Sequence, residues 1–176
     1  MKQTQGPRLS FDAVRFLLVD DNHHMRVLLT EILRSIGVRK VLHANDGMEA
    51  FEKLRGQPVD IILTDLAMRP MDGVDFVRLL RNDPSSPAPY CPVLMISGHT
   101  TLRRIYQARD AGVNEFLSKP VTVRGLMARM DQIINHPRPF VKSSDYFGPD
   151  RRRRQDPEYR GPQRRSSEGP IAQVLD

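Results

Sequence analysis

The sequence predicts an α/β fold in which helices cover both faces of a parallel β-sheet. Between residues 14 and 135, short apolar runs alternate with amphipathic stretches, which is the pattern of strands joined by crossover helices. Three of the apolar runs are nearly uninterrupted, as expected for strands buried on both faces. Five such units fit into this stretch, so a single domain of ordinary size accounts for it.

The elements follow in a regular order. The predicted strands are short and rich in Val, Ile and Leu, with the two weaker ones at the sheet edges: 14–19, 40–44, 59–64, 93–97 and 115–117. The predicted helices carry apolar residues at three- and four-residue spacing: 24–36, 47–55, 74–81, 102–111 and 123–135. Gly37 and Gly112 are each placed to end a helix.

The composition predicts a soluble, cytoplasmic protein. Hydrophobic residues make up 39% and charged residues 27% of the chain, which is ordinary for a globular domain. The apolar runs are far shorter than the roughly 20 residues that cross a bilayer, and the N-terminus lacks the pattern of a secretory signal. Cys91 is the single cysteine, so an intramolecular disulfide is impossible and a reducing compartment is expected.

Residues 137–176 are predicted to form a disordered tail, because prolines interrupt a polar, arginine-rich sequence. Residues 136–176 hold nine Lys or Arg against six Asp or Glu, which is half of the net charge of +6. Tyr146 and Phe147 precede the arginines at 151–154, an arrangement typical of a linear motif for an acidic partner. A solvated extension that keeps the protein soluble is an equally good interpretation.

Polar side chains stand at the ends of four predicted strands. Asp20 and Asp21 follow the first strand, Asp65 the third and Lys119 the fifth, while Ser97 ends the fourth. Because open α/β sheets bind ligands at the carboxyl ends of their strands, we expect these side chains to share one crevice. Crowded carboxylates raise one another's pKa or recruit a cation. Oxygen ligands with open coordination positions favour Mg²⁺.

This constellation predicts phosphoryl chemistry. A carboxylate that attacks a phosphoryl donor forms an aspartyl phosphate, and Asp65 is the central carboxylate of the set. Lys119 supplies a positive charge for one phosphoryl oxygen and Ser97 a hydroxyl donor for another.

The motifs together resemble a known family. Asp20-Asp21, the run Thr-Asp-Leu-Ala-Met-Arg-Pro-Met-Asp-Gly at 64–73, Ser97-Gly98 and Lys119-Pro120 are similar to the receiver domain of two-component response regulators, of the chemotaxis-regulator type. The resemblance implies a doubly wound, flavodoxin-like sheet of five parallel strands in the order 2-1-3-4-5. It divides the chain into an N-terminal arm at 1–12, a stand-alone receiver domain at 13–136 and the tail at 137–176.

The resemblance also implies residue roles. Asp65 is the expected phosphoacceptor, and Mg²⁺ is expected to bind the side chains of Asp21 and Asp65, Asp20 partly through water, and the backbone carbonyl of Ala67. Ser97 and Phe116 occupy the switch positions, so phosphorylation is expected to draw Ser97 inward and turn the Phe116 ring inward. Autophosphorylation and autodephosphorylation are the only reactions implied, so the chain is not expected to be an enzyme with an external product.

The implied donor is a histidine kinase or a histidine phosphotransfer protein. The implied output is a downstream protein bound by the fourth helix, fifth strand and fifth helix, or by the tail; a membrane or nucleic acid is not expected as a partner. Two rival interpretations are a nucleic-acid-binding regulator that acts through the arginine-rich tail, and a phosphate sink or relay without an output surface.

The sequence departs from the family pattern at two places. Arg69 separates Met68 from Pro70 in the loop after Asp65, and a proline-rich insertion occupies 82–92. Asp72-Gly73 is interpreted as a helix start and turn, not as part of the site. Cys91 lies among prolines without a catalytic histidine, which argues against a nucleophilic thiol.

Overall fold

The structure, a computed structural model, describes residues 11–98 and 101–151. Five strands alternate with five helices, and a two-stranded hairpin follows. In chain order the elements are β1 (Arg15–Val19), α1 (His23–Ser35), β2 (Lys40–Ala44), α2 (Gly47–Gly56), β3 (Ile61–Asp65), α3 (Gly73–Asn82), β4 (Val93–Ser97), α4 (Leu102–Ala111), β5 (Glu115–Ser118), α5 (Val123–Ile134), β6 (Phe140–Ser143) and β7 (Tyr146–Pro149).

The first five strands form one parallel sheet in the order β2-β1-β3-β4-β5. This confirms the predicted fold class and strand order. The apolar content of each strand explains its place, because every residue of the interior strands β3 and β4 is buried. The edge strand β2 is only partly buried, in line with its mixed sequence.

Two apolar clusters hold the helices against the two faces of the sheet. On one face, Leu33 of α1 and Leu126 of α5 belong to the same cluster as Leu18 and Leu63 of the sheet. On the other face, α2, α3 and α4 pack against the alternate residues of the same strands, such as Leu17. None of the helices within the described ranges is long and apolar enough to cross a membrane.

Polar caps and glycines set the helix ends. The side chains of Asn22, Asp46 and Asp72 accept backbone hydrogen bonds at the starts of α1, α2 and α3. Gly112 adopts a left-handed conformation with φ of 100° and ends α4, and Gly37 adopts φ of 99° just after α1. Both glycines therefore end helices where the sequence predicts.

The prediction that the whole tail is disordered is wrong for the segment that forms a hairpin. Residues 140–149 form an antiparallel pair, β6 and β7, instead of the disorder predicted from residue 137 onward. The hairpin is anchored by aromatic contacts, with the ring of Phe147 5.1 Å from Tyr90 and 5.7 Å from Phe140. The prolines and arginines on either side of this segment make the whole tail look disordered and obscure its aromatic residues. The rest of the predicted tail, 152–176, and most of the predicted N-terminal arm, 1–10, lie outside the described residues.

Gly148 brings β7 against the end of α4. A Cβ atom at this position would lie 2.8 Å from Cα of Gly112 and 2.7 Å from Oη of Tyr146.

We predict that Gly148→Ala lowers the free energy of unfolding by about 1–3 kcal/mol, because the added methyl group overpacks this contact. Gly56→Ala is the matched control, since a Cβ there meets nothing within 4 Å. Urea unfolding of the two variants tests this, and equal stabilities would contradict it.

Candidate functional site

The register of the sheet gathers the polar strand ends at one edge. Val19 pairs with Thr64, Asp65 with Ile96, and Ser97 with Ser118, so the strands reach their carboxyl ends at similar heights. Asp20, Asp65 and Lys119 consequently meet in one pocket, where Lys119 forms ion pairs with both carboxylates. The convergence predicted from the sequence is present for these three side chains.

Asp65 is held in a fixed orientation at the end of β3. Its side chain is buried, with Oδ1 lying 2.7 Å from Nζ of Lys119. Oδ2 accepts a hydrogen bond of 2.8 Å from the backbone N–H of Ala67. One carboxylate oxygen thus faces a cation and the other a backbone donor, and the two contacts together fix the orientation of the group.

Asp20 is the most deeply buried acidic side chain of the pocket, with 1% of its surface exposed. Its Oδ1 accepts a hydrogen bond of 2.8 Å from the backbone N–H of Asn22. Its Oδ2 is buried and accepts no hydrogen bond from the described residues. Burial raises the pKa of the Asp20 carboxyl, the Asn22 N–H opposes the rise, and the Asp65 carboxylate adds to it.

Lys119 is the cation shared by these two acids. Its Nζ lies 3.6 Å from Oδ2 of Asp20, farther than from Asp65. The backbone N–H of Lys119 donates to the carbonyl of Ser97 at 2.8 Å, which fixes the residue beside the end of β4. One ammonium group against two buried carboxylates leaves the pocket with an excess of negative charge.

Asp21 lies at the rim of the pocket. It is exposed, and its Oδ2 accepts a hydrogen bond of 3.3 Å from the backbone N–H of Arg69. This bond links the turn after β1 to the loop after β3. The inserted Arg69 therefore contacts the candidate site through its backbone, a contact that its charged side chain does not suggest.

The two predicted switch residues lie on neighbouring strands. Ser97 is buried at the end of β4, and Phe116 is half-buried on β5, where it packs against the cluster shared by α2, α3 and α4. Phe116 also lines a cleft of about 240 Å³ together with Tyr106 of α4. Ser97 thus lies at the sheet edge that carries the acidic pocket, and Phe116 borders α4.

The pocket fits a hard cation. Among the described residues, no group of three His, Cys, Asp or Glu side chains is arranged as a metal cluster. Mg²⁺ needs fewer protein ligands than such a cluster provides, because it retains several waters and commonly uses one or two carboxylates. The buried Oδ2 of Asp20 without a hydrogen bond, the excess negative charge and the oxygen-only donors all suit this ion.

Gly73 is a positioning residue that the sequence analysis did not assign to the site. A Cβ atom at Gly73 would lie 2.1 Å from the backbone oxygen of Asp65, so only glycine permits this approach. The N–H of Gly73 donates to the carbonyl of Leu66 at 3.0 Å. Asp72 caps α3 as predicted, accepting from the N–H of Asp75. The available signal was a glycine directly after a helix-capping aspartate.

Cys91 lies just before β4, at the edge of the sheet opposite the one that carries the acidic pocket. It is buried, and its Sγ contacts the carbonyl oxygens of Val59 and Pro92. Burial raises the pKa of this thiol to about 12. This environment supports the interpretation of Cys91 as a packing residue.

The parallel sheet and the acidic pocket at its carboxyl edge define an α/β domain of the receiver type. The sequence profile of the response regulator receiver domain matches residues 16–131. The chain therefore belongs to the response regulator receiver family, and it is a chemotaxis-regulator-like domain of two-component signalling.

Individual relatives agree with this assignment. Chemotaxis protein CheY-3 of Vibrio cholerae is 33% identical over 121 residues, which cover 69% of this chain and 92% of the relative. Chemotaxis protein CheY of Pseudomonas aeruginosa is 32% identical over 121 residues, covering 69% and 96%. The structure of chemotaxis protein CheY4 of Vibrio cholerae superposes with a TM-score of 0.63 at 27% identity, covering 69% of this chain and 98% of that one. The hairpin lies beyond the matched profile.

We predict that Mg²⁺ stabilises the protein through the acidic pocket. At ten times its dissociation constant, the ion should raise the free energy of unfolding by roughly 1.4 kcal/mol. The double variant Asp20→Asn, Asp21→Asn should lose this gain, whereas Asp75→Asn on the exposed surface of α3 should retain it. In EDTA, Asp20→Asn alone should be more stable than the wild type, because burial and the neighbouring Asp65 carboxylate make the charge of Asp20 unfavourable. Urea unfolding with and without Mg²⁺ measures both effects, and an equal gain in the double variant would refute the site.

We also predict that Cys91 resists alkylation in the folded protein. With the pKa raised to about 12, the thiolate fraction at pH 8 falls roughly a thousandfold below that of an ordinary thiol. Iodoacetamide labelling followed by mass spectrometry should be slow in buffer and rapid in urea. Similar rates in both conditions would show that the thiol is accessible.

Proposed function

We propose that this chain is a phosphorylation-dependent signalling switch that accepts a phosphoryl group on Asp65. The supporting observation is the buried carboxylate of Asp65, which Lys119 approaches to 2.7 Å at the carboxyl edge of the sheet. Membership of the receiver family supports a role in two-component signalling. The ion pair between Asp65 and Lys119 supports Asp65 as the acceptor.

The proposed reaction transfers phosphorus from a histidine of a kinase or phosphotransfer protein. The P–N bond to the donor imidazole breaks, and a bond from a carboxylate oxygen of Asp65 to phosphorus forms. The imidazole nitrogen keeps the bonding electron pair and takes a proton from water. Since little acid or base chemistry is needed, the contribution of the pocket is position and charge.

Each residue of the pocket has its own proposed role in this reaction. The Ala67 N–H and the Lys119 ammonium group hold the two oxygens of Asp65. Lys119 remains beside the acceptor to pair with a phosphoryl oxygen after transfer. Asp20, Asp21, Asp65 and the carbonyl of Ala67 are the proposed ligands of Mg²⁺. When bound, this ion neutralises charge on the carboxylates and on the phosphoryl group.

The output is proposed to pass from Ser97 and Phe116 to the surface of α4, β5 and α5. Phosphorylation shifts the population towards a state in which Ser97 is drawn to the phosphoryl group and the Phe116 ring turns inward. Large apolar side chains are exposed beside these switch positions, with Leu102 68% and Tyr106 51% exposed on α4. Such side chains favour docking of a downstream protein.

The protein acts in the cytoplasm, receives its phosphoryl group from a histidine kinase or histidine phosphotransfer protein, and dephosphorylates itself without releasing another product. The arginines at 152–154 and the residues after them lie outside the described part of the chain, so no contact favours the nucleic-acid alternative over protein output.

Intact-mass spectrometry tests the acceptor. We predict that incubation with acetyl phosphate and Mg²⁺ adds the mass of one phosphoryl group to the wild type and none to Asp65→Asn. Asp75→Asn is the matched control, because it makes the same change at an exposed ion pair on α3. A persistent single adduct on Asp65→Asn would show that another residue is the acceptor.

A further inference from the structure

The hairpin β6–β7 docks at the end of the sheet opposite Asp65. The backbone carbonyl of Phe147 and the Gly148 backbone approach Gly112, which joins α4 to β5. The ring of Phe140 lies 4.9 Å from the guanidinium of Arg81 on α3. The hairpin therefore covers the ends of α3 and α4 and the beginning of β5.

Arg81 is the buried anchor of this contact. Although only 3% exposed, its guanidinium donates to the carbonyl of Gly112 at 3.1 Å, to the carbonyl of Pro89 at 2.7 Å and to Oδ1 of Asn114 at 3.1 Å. Burial lowers the pKa of Arg81 to about 10, which still leaves the group charged at neutral pH. The ring of Phe140 covers a cation that the main body already holds.

Two arginines that flank the hairpin, Arg138 and Arg151, extend this network onto α4 and β5. Arg151 lies 3.8 Å over the ring of Tyr146 and forms an ion pair of 3.2 Å with Asp110 in the last turn of α4. Arg138 donates to the backbone carbonyl of Asn114 and lies 3.8 Å from the buried carboxylate of Glu115. The hairpin and its flanking arginines thus contact both α4 and β5, the two elements on either side of Gly112.

The same arginines border the proposed switch. Arg138 and Arg151 line the cleft that Phe116 and Tyr106 also line. Phe116 directly follows Glu115, so a rearrangement of the ring or of α4 alters the surroundings of both arginines. Such a change reaches the hairpin without an intermediate element.

We propose that the hairpin is a regulatory clamp on α4 and β5, and that its docking is thermodynamically coupled to phosphorylation of Asp65. This inference rests on the proposed function, since it requires the switch at Phe116. In the described arrangement the clamp grips α4 while Phe116 lines the cleft. A ring that turns inward leaves this cleft, so phosphorylation loosens the clamp. By linkage, loosening the clamp favours the phosphorylated protein to the same extent.

Hydrogen exchange of the full-length chain tests the coupling. With acetyl phosphate and Mg²⁺, amide exchange of residues 140–149 should accelerate about fivefold, the lower end of ordinary allosteric coupling. Asp65→Asn should show no acceleration under the same conditions.

A charge variant tests the reciprocal effect. Arg151→Gln removes the ion pair with Asp110 at a partly exposed position, and at limiting acetyl phosphate it should raise the phosphorylated-to-unphosphorylated ratio about fivefold. Arg78→Gln, which removes an exposed ion pair with Asp75 on α3, is the matched control and should leave the ratio unchanged.

The outcomes separate this inference from the proposed function. An adduct on Asp65 with unchanged or slower exchange at 140–149 overturns the clamp and leaves the phosphoacceptor intact. The same conclusion follows if Arg151→Gln and Arg78→Gln give equal ratios. Absence of any adduct on Asp65 overturns the proposed function and the clamp together.

Discussion

The site depends on the sharing of one ammonium group by two buried carboxylates. Lys119 lies close to Asp65 and farther from Asp20, and both acids are almost fully buried. Burial of charge is expensive unless it is compensated, so the arrangement requires Lys119 to be held close to both acids, although burial still leaves the charge of Asp20 unfavourable. The parallel strands supply that constraint, because their register sets the distance between the residues that follow them. The remaining negative charge makes the pocket receptive to a cation.

Most of the main domain could be predicted because its physical signals are local. The uninterrupted apolar runs of β3 and β4 identify central strands, and Gly37 and Gly112 mark helix ends. The convergence of Asp20, Asp65 and Lys119 then follows from parallel topology. The role of Gly73 could not be predicted in this way, since it depends on a through-space approach to the backbone of Asp65. The contact between Asp21 and the Arg69 backbone is equally non-local.

The hairpin shows where composition is a poor guide. It lies within a tail that is rich in Pro and Arg overall, a composition that usually indicates too little apolar surface to offset the entropy of ordering. Here Phe140 and Phe147 pack against Tyr90 from the proline-rich insertion. Neither segment is apolar enough by itself, and their pairing across about fifty residues of sequence is invisible to a local pattern. The hydrogen bonds of the buried Arg81 beneath the hairpin are polar contacts. The spacing of apolar residues in the sequence therefore gives no sign of them.

Gly73 also explains how the loop after Asp65 accommodates an unusual sequence. The bond from the Gly73 N–H to the Leu66 carbonyl closes the base of the loop, and the glycine lies directly against the Asp65 backbone. The exposed residues Arg69 and Pro70 therefore lie outside the closed base of the loop, and Arg69 contacts the pocket through the bond from its N–H to Asp21. Substitutions at the tip would therefore change the surface beside the pocket, while the ring closed at Gly73 holds the Asp65 backbone in place.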